Sequence, residues 1–276
     1  MEQRGQNPQQ NVIAIVPARY ASSRLPGKML RDIGGKPLIV RTHERAGLAR
    51  SVSRVIVATD DERIRDVVIA AGGEAVMTSR DHQSGSDRIA EVAATLPAGS
   101  IIVNVQGDEP LIAPETIDRA VEALVADASA DMVTVCEPIT DLRSELLNGN
   151  VVKVIVGDDG YALHFSRSPM PWPRAAAERF GGDPNKAIAN EPELLSIFRK
   201  HTGLYVYRRE YLLEFTKMPP TRLEQIEMLE QLRALENGAR IRVVDAVAAS
   251  IGVDTEDDLK VVERLLADGK VSSVSS

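Results

Sequence analysis

A short apolar run that ends in a strongly polar loop is the feature that most constrains the fold of this 276-residue chain. Residues 12–16 are all apolar, which is typical of a strand buried on both faces of a parallel sheet. The loop that follows carries Arg19, Arg24 and Lys28. Because like charges repel, three cations behind one strand predict that an anion lies between them. The spacing matches neither the P-loop nor the dinucleotide-binding pattern, and a triphosphate would suit it.

Strand-like and helix-like patterns alternate through the first half of the chain. Further apolar runs occur at 54–60, 74–78, 101–105 and around Val133, and helical patterns separate them near 62–71, before Leu96 and at 114–125. Such alternation predicts an α/β fold, a mostly parallel, Rossmann-like sheet flanked by helices with right-handed crossovers. Open sheets of this kind bind ligands at the carboxyl ends of their strands.

The pattern changes after Glu137. Residues 151–156 and 161–167 flank a glycine-bounded turn, which predicts a β-hairpin. Residues 168–200 are rich in proline with little periodicity, which indicates a long loop or a small subdomain. A strand at 203–207, two helices, a strand at 241–247 and a helix from about Glu256 complete the chain.

We expect one domain over residues 11–270 that contains an inserted subdomain at about 138–200. The polar, glutamine-rich residues 1–10 and the serine-rich residues 271–276 are predicted to be disordered tails.

Composition excludes several classes of protein. The chain is 43% hydrophobic and 26% charged with a net charge of −7, and its basic residues are dispersed, which argues against nucleic acid as a partner. No apolar stretch approaches the ~20 residues that span a bilayer, and the first ten residues lack the apolar centre of a secretory signal. We therefore expect a cytoplasmic protein with no membrane partner. Cys136 stands alone, which excludes an internal disulfide, and we expect a buried core thiol.

Two aspartates are candidate metal ligands. Asp108 directly follows an apolar strand, and Pro110 and Pro114 delay the next helix, so capping does not explain it. A carboxylate beside the basic loop suits Mg²⁺, which takes one or two carboxylates together with substrate phosphates. Asp254 is the second candidate, but an aspartate before an acidic first turn is also an ordinary helix cap. The local pattern alone favours the cap.

A polar segment at 78–88 lies between a predicted strand and a predicted helix. Arg80 near a serine-rich helix start is typical of a site for an anion or carboxylate. His82 taken alone indicates a solvated loop histidine.

The helix predicted from Thr221 to Gly238 carries a polar stripe. At ~100° per residue, Glu224, Glu227 and Gln231 fall within roughly 60° of one another, while Arg233 falls on the side assigned to solvent. The stripe indicates a buried ligand pocket, unless Glu224 only caps the helix and Glu227 only pairs with a neighbouring cation. Both interpretations stay open.

In these segments the chain resembles the 3-deoxy-D-manno-octulosonate (KDO) cytidylyltransferases, also called CMP-KDO synthetases. The matching stretches are 15–28, 81–88, 103–110, 165–167, 171–172, 201–205, 223–233 and 252–255. The first is shared with other sugar nucleotidyltransferases. The His-Gln-Ser-Gly stretch that starts at His82 and the helix sequence at 224–233 are much more specific.

The resemblance implies a glycosyltransferase-A-like fold and transfer of CMP from CTP to KDO, with release of pyrophosphate, for lipopolysaccharide biosynthesis. It also implies Mg²⁺ as cofactor and a homodimer formed partly through the inserted subdomain. The stretch 174–200 departs from the family pattern by its greater length.

The same resemblance implies roles for individual residues. Lys28, Asp108 and Asp254 would be catalytic, and both aspartates would bind the metal, so that Asp254 becomes a ligand rather than a cap. The implied CTP site comprises Ala18, Arg19, Ser22, Arg24, Lys28, Ser86 and Gln106. The implied sugar site comprises Arg80, Gln106, His201, Tyr205, Glu224, Glu227 and Gln231.

Two alternatives differ in substrate or in class. A CMP-sialic acid synthetase or a uridylyltransferase would reuse the first loop with a different pocket. A nucleotide-binding regulator without activity would not need Lys28, Asp108 and Asp254 together, so their joint presence argues against it.

Overall fold

The computed structural model describes residues 11–21 and 25–268. The predicted tails, 1–10 and 271–276, lie outside these residues. Its strands are β1 (Val12–Ala18), β2 (Asp32–Ile33), β3 (Lys36–Pro37), β4 (Arg54–Thr59), β5 (Glu74–Met77), β6 (Ile101–Asn104), β7 (Met132–Pro138), β8 (Lys153–Val156), β9 (Ala162–Ser166), β10 (Arg199–Arg208) and β11 (Ile241–Asp245).

The α-helices are α1 (Leu38–Ala46), α2 (Glu62–Ala70), α3 (Gly85–Ala94), α4 (Pro114–Ala126), α5 (Arg174–Arg179), α6 (Pro184–Asn190), α7 (Arg209–Phe215), α8 (Arg222–Glu227), α9 (Glu230–Glu236) and α10 (Glu256–Ala267). Short 3-10 turns cover Lys28–Leu30 and Pro192–Ile197, and a π-helical turn covers Leu142–Leu146. No helix in the described ranges is long and apolar enough to cross a bilayer.

The main sheet is mixed but mostly parallel, as predicted. Its order is β11-β7-β10-β6-β1-β4-β5, with β8 and β9 attached at the end of β10. β1 lies parallel to β4 and β6, whereas β10 runs antiparallel between β6 and β7. A separate two-residue ladder joins β2 to β3, which the sequence patterns do not predict.

Burial on both faces explains the uninterrupted apolar runs. In β1, Ile13 and Ile15 join a core layer with Ile89 of α3, whereas Ala14 and Val16 join the opposite layer with Ile117 of α4. The central strands thus have no solvent face on which a polar residue would be favoured. Polar side chains are left to the strand ends, where they can form a site.

The proline-rich stretch within the predicted inserted subdomain forms helices rather than a long loop. α5 and α6 lie within 168–200, and Ile188 of α6 packs with Ile139 and Phe198 in a small separate cluster. The predicted hairpin is confirmed as β8 and β9, which pair antiparallel. Gly160 in its turn adopts a φ of 79°, a conformation that glycine accepts at no steric cost.

The single helix predicted from Thr221 to Gly238 is wrong. The chain instead forms α8 and α9, separated at Met228, whose φ of 53° lies in the left-handed region. Non-glycine residues rarely adopt this conformation, at a cost of about 1–3 kcal/mol. The break leaves Met228 76% exposed and turns Leu229 into the core. The angular argument for one polar stripe therefore does not hold across the break.

Cys136 is buried in β7, as predicted. Burial raises the pKa of its thiol to about 12, so this cysteine stays protonated near neutral pH.

Candidate active site

The carboxyl ends of β1 and β6 open into a polar cavity of about 350 Å³. The loops after both strands, the start of α3, the start of α9 and the loop before α10 enclose it. Six of the predicted site residues line it, namely Ala18, Arg19, Lys28, Gln106, Asp108 and Asp254. The cavity also includes Ser84, Gly85, Arg88 and Glu230. Ser22 and Arg24 lie outside the described residues.

Lys28 connects the two candidate metal ligands. Its Nζ lies 2.7 Å from Asp108 Oδ2 and 2.9 Å from Asp254 Oδ1, and its side chain is only 8% exposed. Burial lowers the pKa of Lys28, but the charges and hydrogen bonds of Asp108 and Asp254 outweigh it, and the net shift is upward. The lysine therefore stays a cation beside two carboxylates that are close enough to share one positive ion.

The capping interpretation of Asp254 is wrong. The cap of α10 is Thr255, whose Oγ1 accepts a hydrogen bond from the Asp258 backbone N–H at 3.2 Å. Asp258 Oδ2 in turn accepts from the Thr255 N–H at 2.8 Å, which completes a capping box. Asp254 is thereby left to pair with Lys28.

Asp108 is followed by a second acidic residue with a different environment. Glu109 is half-buried and accepts a hydrogen bond from the Ser250 hydroxyl. Burial raises the pKa of Glu109 to about 7. This carboxyl is therefore partly protonated near neutral pH, whereas a glutamate carboxyl in water is ionised.

The start of α3 forms part of the wall of the cavity. Ser84 caps the helix, and its Oγ accepts from the Asp87 N–H at 3.1 Å. Arg88 is buried and donates to Asp60 Oδ2 at 2.8 Å and to Thr78 Oγ1 at 2.5 Å. These bonds fix a helix N-terminus, whose exposed N–H groups favour anions, at the cavity.

The antiparallel strand β10 supplies an uncharged, aromatic region. His201 packs edge-on against Phe165, with ring centroids 5.3 Å apart, and lies 5.2 Å from the ring of Tyr205. Burial lowers the pKa of His201 to about 4, so the imidazole is neutral at pH 7. Gln106 reaches this strand through its Nε2, which donates to the Gly203 carbonyl at 3.3 Å.

Glu230 is a site residue that the sequence analysis did not predict. It begins α9, lines the cavity and hydrogen-bonds through its carboxylate to buried Ser86. Its Oε2 is buried without a hydrogen-bond partner in the described part of the chain. A buried acceptor without a donor is uncommon, and here it belongs to a residue that lines the cavity.

The three predicted stripe residues lie outside the cavity lining. Glu224 pairs with Arg233 at 3.0 Å and accepts from the Thr221 N–H at 3.1 Å. Glu227 accepts from Ser166 Oγ at 2.6 Å and from the Arg167 N–H at 3.0 Å. The predicted role of Glu224, Glu227 and Gln231 in sugar binding stays a prediction, and so does that of Arg80, His201 and Tyr205. Arg233, assigned to solvent, is buried instead.

Comparison with known proteins gives one consistent result. The profile of a protein family described as "Cytidylyltransferase" matches residues 13–241 of this chain. The 3-deoxy-manno-octulosonate cytidylyltransferase of Geobacter sulfurreducens is 53% identical over 256 residues, which cover 92% of this chain and 99% of that protein. The enzyme of the same name from Pseudomonas fluorescens is 49% identical over 91% of this chain and 96% of its own length. The chain belongs to the 3-deoxy-manno-octulosonate cytidylyltransferase family.

Solved structures agree with this membership. A CMP:2-keto-3-deoxy-manno-octonic acid synthetase complexed with CTP matches with a TM-score of 0.83 and 40% identity, over 94% of this chain and 99% of that one. A 4-diphosphocytidyl-2C-methyl-D-erythritol synthase from Anaerococcus prevotii matches with a TM-score of 0.58 at 14% identity, over 94% of this chain and 99% of that one, and so shares the fold. The α/β fold predicted for this cytidylyltransferase is thereby confirmed.

Proposed function

We propose that this cytidylyltransferase transfers CMP from CTP to KDO, releases pyrophosphate and so supplies CMP-KDO for lipopolysaccharide biosynthesis. The observation that carries the proposal is the Lys28 ammonium, held between Asp108 and Asp254 in a polar cavity at the strand ends. The names of the closely similar relatives and the CTP complex of a similar structure point to the same reaction.

In this reaction the anomeric hydroxyl of KDO attacks the α-phosphorus of CTP. A new O–P bond forms as the hydroxyl gives up its proton to water, the bond from the α-phosphorus to the bridging oxygen breaks, and pyrophosphate leaves with that electron pair. Such chemistry depends mainly on positioning and charge stabilisation. Lys28 would neutralise charge that develops on the transferring group, and Arg19 and the α3 N-terminus would bind the remaining phosphates.

The residues present fit a magnesium ion. Carboxylate oxygens of Asp108 and Asp254 surround one point, which the ammonium group of Lys28 occupies in this structure. Oxygen atoms are the ligands that Mg²⁺ prefers. No group of three or more potential ligands occurs among the described residues, which suits an ion completed by substrate phosphates and water. When bound there, Mg²⁺ supplies positive charge beside the α-phosphate.

KDO would bind between Gln106, Glu230 and the aromatic region around His201 and Tyr205. The sugar acid is rich in hydroxyl groups, and the carboxylate of Glu230, which lines the cavity, would accept a hydrogen bond from one of them. The predicted Arg80, Glu224, Glu227 and Gln231 complete the proposed sugar site, although Glu224 and Glu227 already have partners.

We further propose a homodimer that acts in the cytoplasm, where nucleoside triphosphates are made. Large apolar side chains on β9, the loop after it and α8 are exposed, namely Leu163, Trp172 and Ile226. An interface between subunits would cover these side chains. Light scattering tests the proposal, and a monomer at micromolar concentration would contradict it.

The experiment that tests the function is pyrophosphate release from the purified chain. CTP and UTP are each paired with KDO and with sialic acid, in the presence of Mg²⁺. Release with CTP and KDO, and little with the other three pairs, is the expected result. Release only with sialic acid or only with UTP would favour the neighbouring enzymes, and CTP binding without release would favour a regulator.

A further inference from the structure

Asp254 is carried by a segment without helix or strand. Residues 246–255, here called the Asp254 loop, separate β11 from α10. A segment without the regular backbone hydrogen bonds of a helix or strand has many accessible conformations, so other contacts must hold it in a single one. One such contact is a hydrogen bond from the Val253 N–H to the Asp108 carbonyl oxygen, at 2.8 Å.

Ser250 provides two further contacts, in the middle of the Asp254 loop. Its hydroxyl donates to Glu109 Oε2, and its backbone N–H donates to Glu137 Oε1 at 3.2 Å. Glu109 directly follows Asp108, and Glu137 lies near the end of β7. One serine therefore fastens the loop both to the segment after β6 and to the end of β7.

Glu137 is itself firmly held. It is only 4% exposed, its Oε1 accepts from Thr202 Oγ1 at 2.9 Å, and its Oε2 lies 3.4 Å from Lys200 Nζ. Both partners belong to β10, so the carboxylate is fixed to the main sheet before it accepts the Ser250 N–H. A buried acceptor with several donors is a rigid attachment point.

We propose that Ser250, anchored by Glu109 and Glu137, is a positioning residue that keeps Asp254 beside Asp108 and so sets the affinity of the metal–nucleotide site. The inference rests on the proposed function, because the spacing of the two aspartates matters only if they share a cation. Groups that orient metal ligands commonly change metal affinity about 10- to 100-fold when they are removed.

The test uses Mn²⁺ as the probe. Free Mn²⁺ is measured by electron paramagnetic resonance in the presence of saturating CTP and without sugar, so that no turnover contributes. Ser250→Ala is expected to raise the apparent dissociation constant of Mn²⁺ about tenfold, with an unchanged melting temperature. Ser250→Thr keeps the hydroxyl and is expected to restore the wild-type value within about twofold.

Ser129→Ala is the matched control. Ser129 Oγ also donates to a carboxylate, Asp127 Oδ1 at 2.7 Å, but outside the cavity lining, and its loss should leave Mn²⁺ affinity unchanged.

If wild type binds Mn²⁺ with CTP and Ser250→Ala binds it equally well, the positioning role is overturned and the proposed function stands. If Ser250→Thr fails to restore affinity, the hydroxyl is not the cause and the inference also falls. If wild type itself shows no CTP-dependent Mn²⁺ binding, the metal site of the proposed function is overturned as well.

Discussion

The two halves of the cavity are built in different ways. The half next to β1 and β6 is charged, with Lys28 between Asp108 and Asp254, and it uses the ends of parallel strands. The half next to β10 is lined by Gln106 and Glu230, and it adjoins the aromatic pair of His201 and Tyr205, which lies outside the cavity lining. The first half suits phosphates and a metal, whereas the second suits a hydroxyl-rich sugar. Each half should therefore respond to mutation through a different substrate.

The largest effect is expected in the charged half, from Lys28→Ala. This change removes the cation that opposes charge on the transferring phosphoryl group, so kcat should fall about 10²- to 10³-fold. The KM for CTP should change much less, because the contribution is greatest in the transition state. Steady-state kinetics of pyrophosphate release measure both constants.

Lys260→Ala is the control for this change of charge, because Lys260 pairs with Asp257 on the exposed surface of α10 at 3.0 Å. It should leave both constants unchanged. An increase only in the KM for CTP upon Lys28→Ala would make Lys28 a ground-state phosphate ligand and would contradict its assigned role.

The charged half could be predicted from the sequence, and the half next to β10 largely could not. Lys28 lies in the loop after β1 and Asp108 in the loop after β6, so local patterns place them at one edge of the sheet. Asp254 needed the family resemblance, since its local pattern favours a cap. The position of Glu230 depends on the left-handed residue Met228, and no local pattern marks that break. The antiparallel placement of β10 is likewise decided by packing between distant strands.

A medium effect is expected in the half next to β10, from Glu230→Gln. A hydrogen bond to a charged acceptor contributes roughly 1.5–3 kcal/mol, so its loss should raise the KM for KDO about tenfold or more. The affinity for CTP should stay nearly unchanged. Glu227→Gln is the matched comparison, because Glu227 carries the same charge but is bonded to Ser166 and Arg167.

For Glu227→Gln we expect a lower melting temperature and a smaller change in the KM for KDO. The opposite pattern, a large change for Glu227 and none for Glu230, would return sugar recognition to the polar stripe predicted from the sequence. Thermal unfolding and both KM values should be measured on the same preparations.

A further effect concerns stability at acidic pH rather than turnover. The pKa of His201 is lowered from 6.5 to about 4 by burial, so between these values the unfolded chain binds more protons than the folded one. As the pH falls from 6.5 to 4, wild type should lose up to about 3 kcal/mol of unfolding free energy that His201→Gln does not lose. Denaturant unfolding of both proteins across this range measures the difference. Parallel pH profiles would mean that the pKa of His201 is the same in the folded and the unfolded chain, which would contradict the lowering of this pKa by burial.

The division of the cavity is tested most directly by a crystal structure of the chain with CTP and Mg²⁺, solved before and after addition of KDO. We expect the triphosphate within hydrogen-bond distance of Lys28, with its α-phosphate beside Asp108 and Asp254. KDO should then occupy the region between Gln106 and Glu230. A triphosphate bound against His201 and Tyr205, or a sugar bound outside the Glu230 side of the cavity, would contradict the assignment of the two halves.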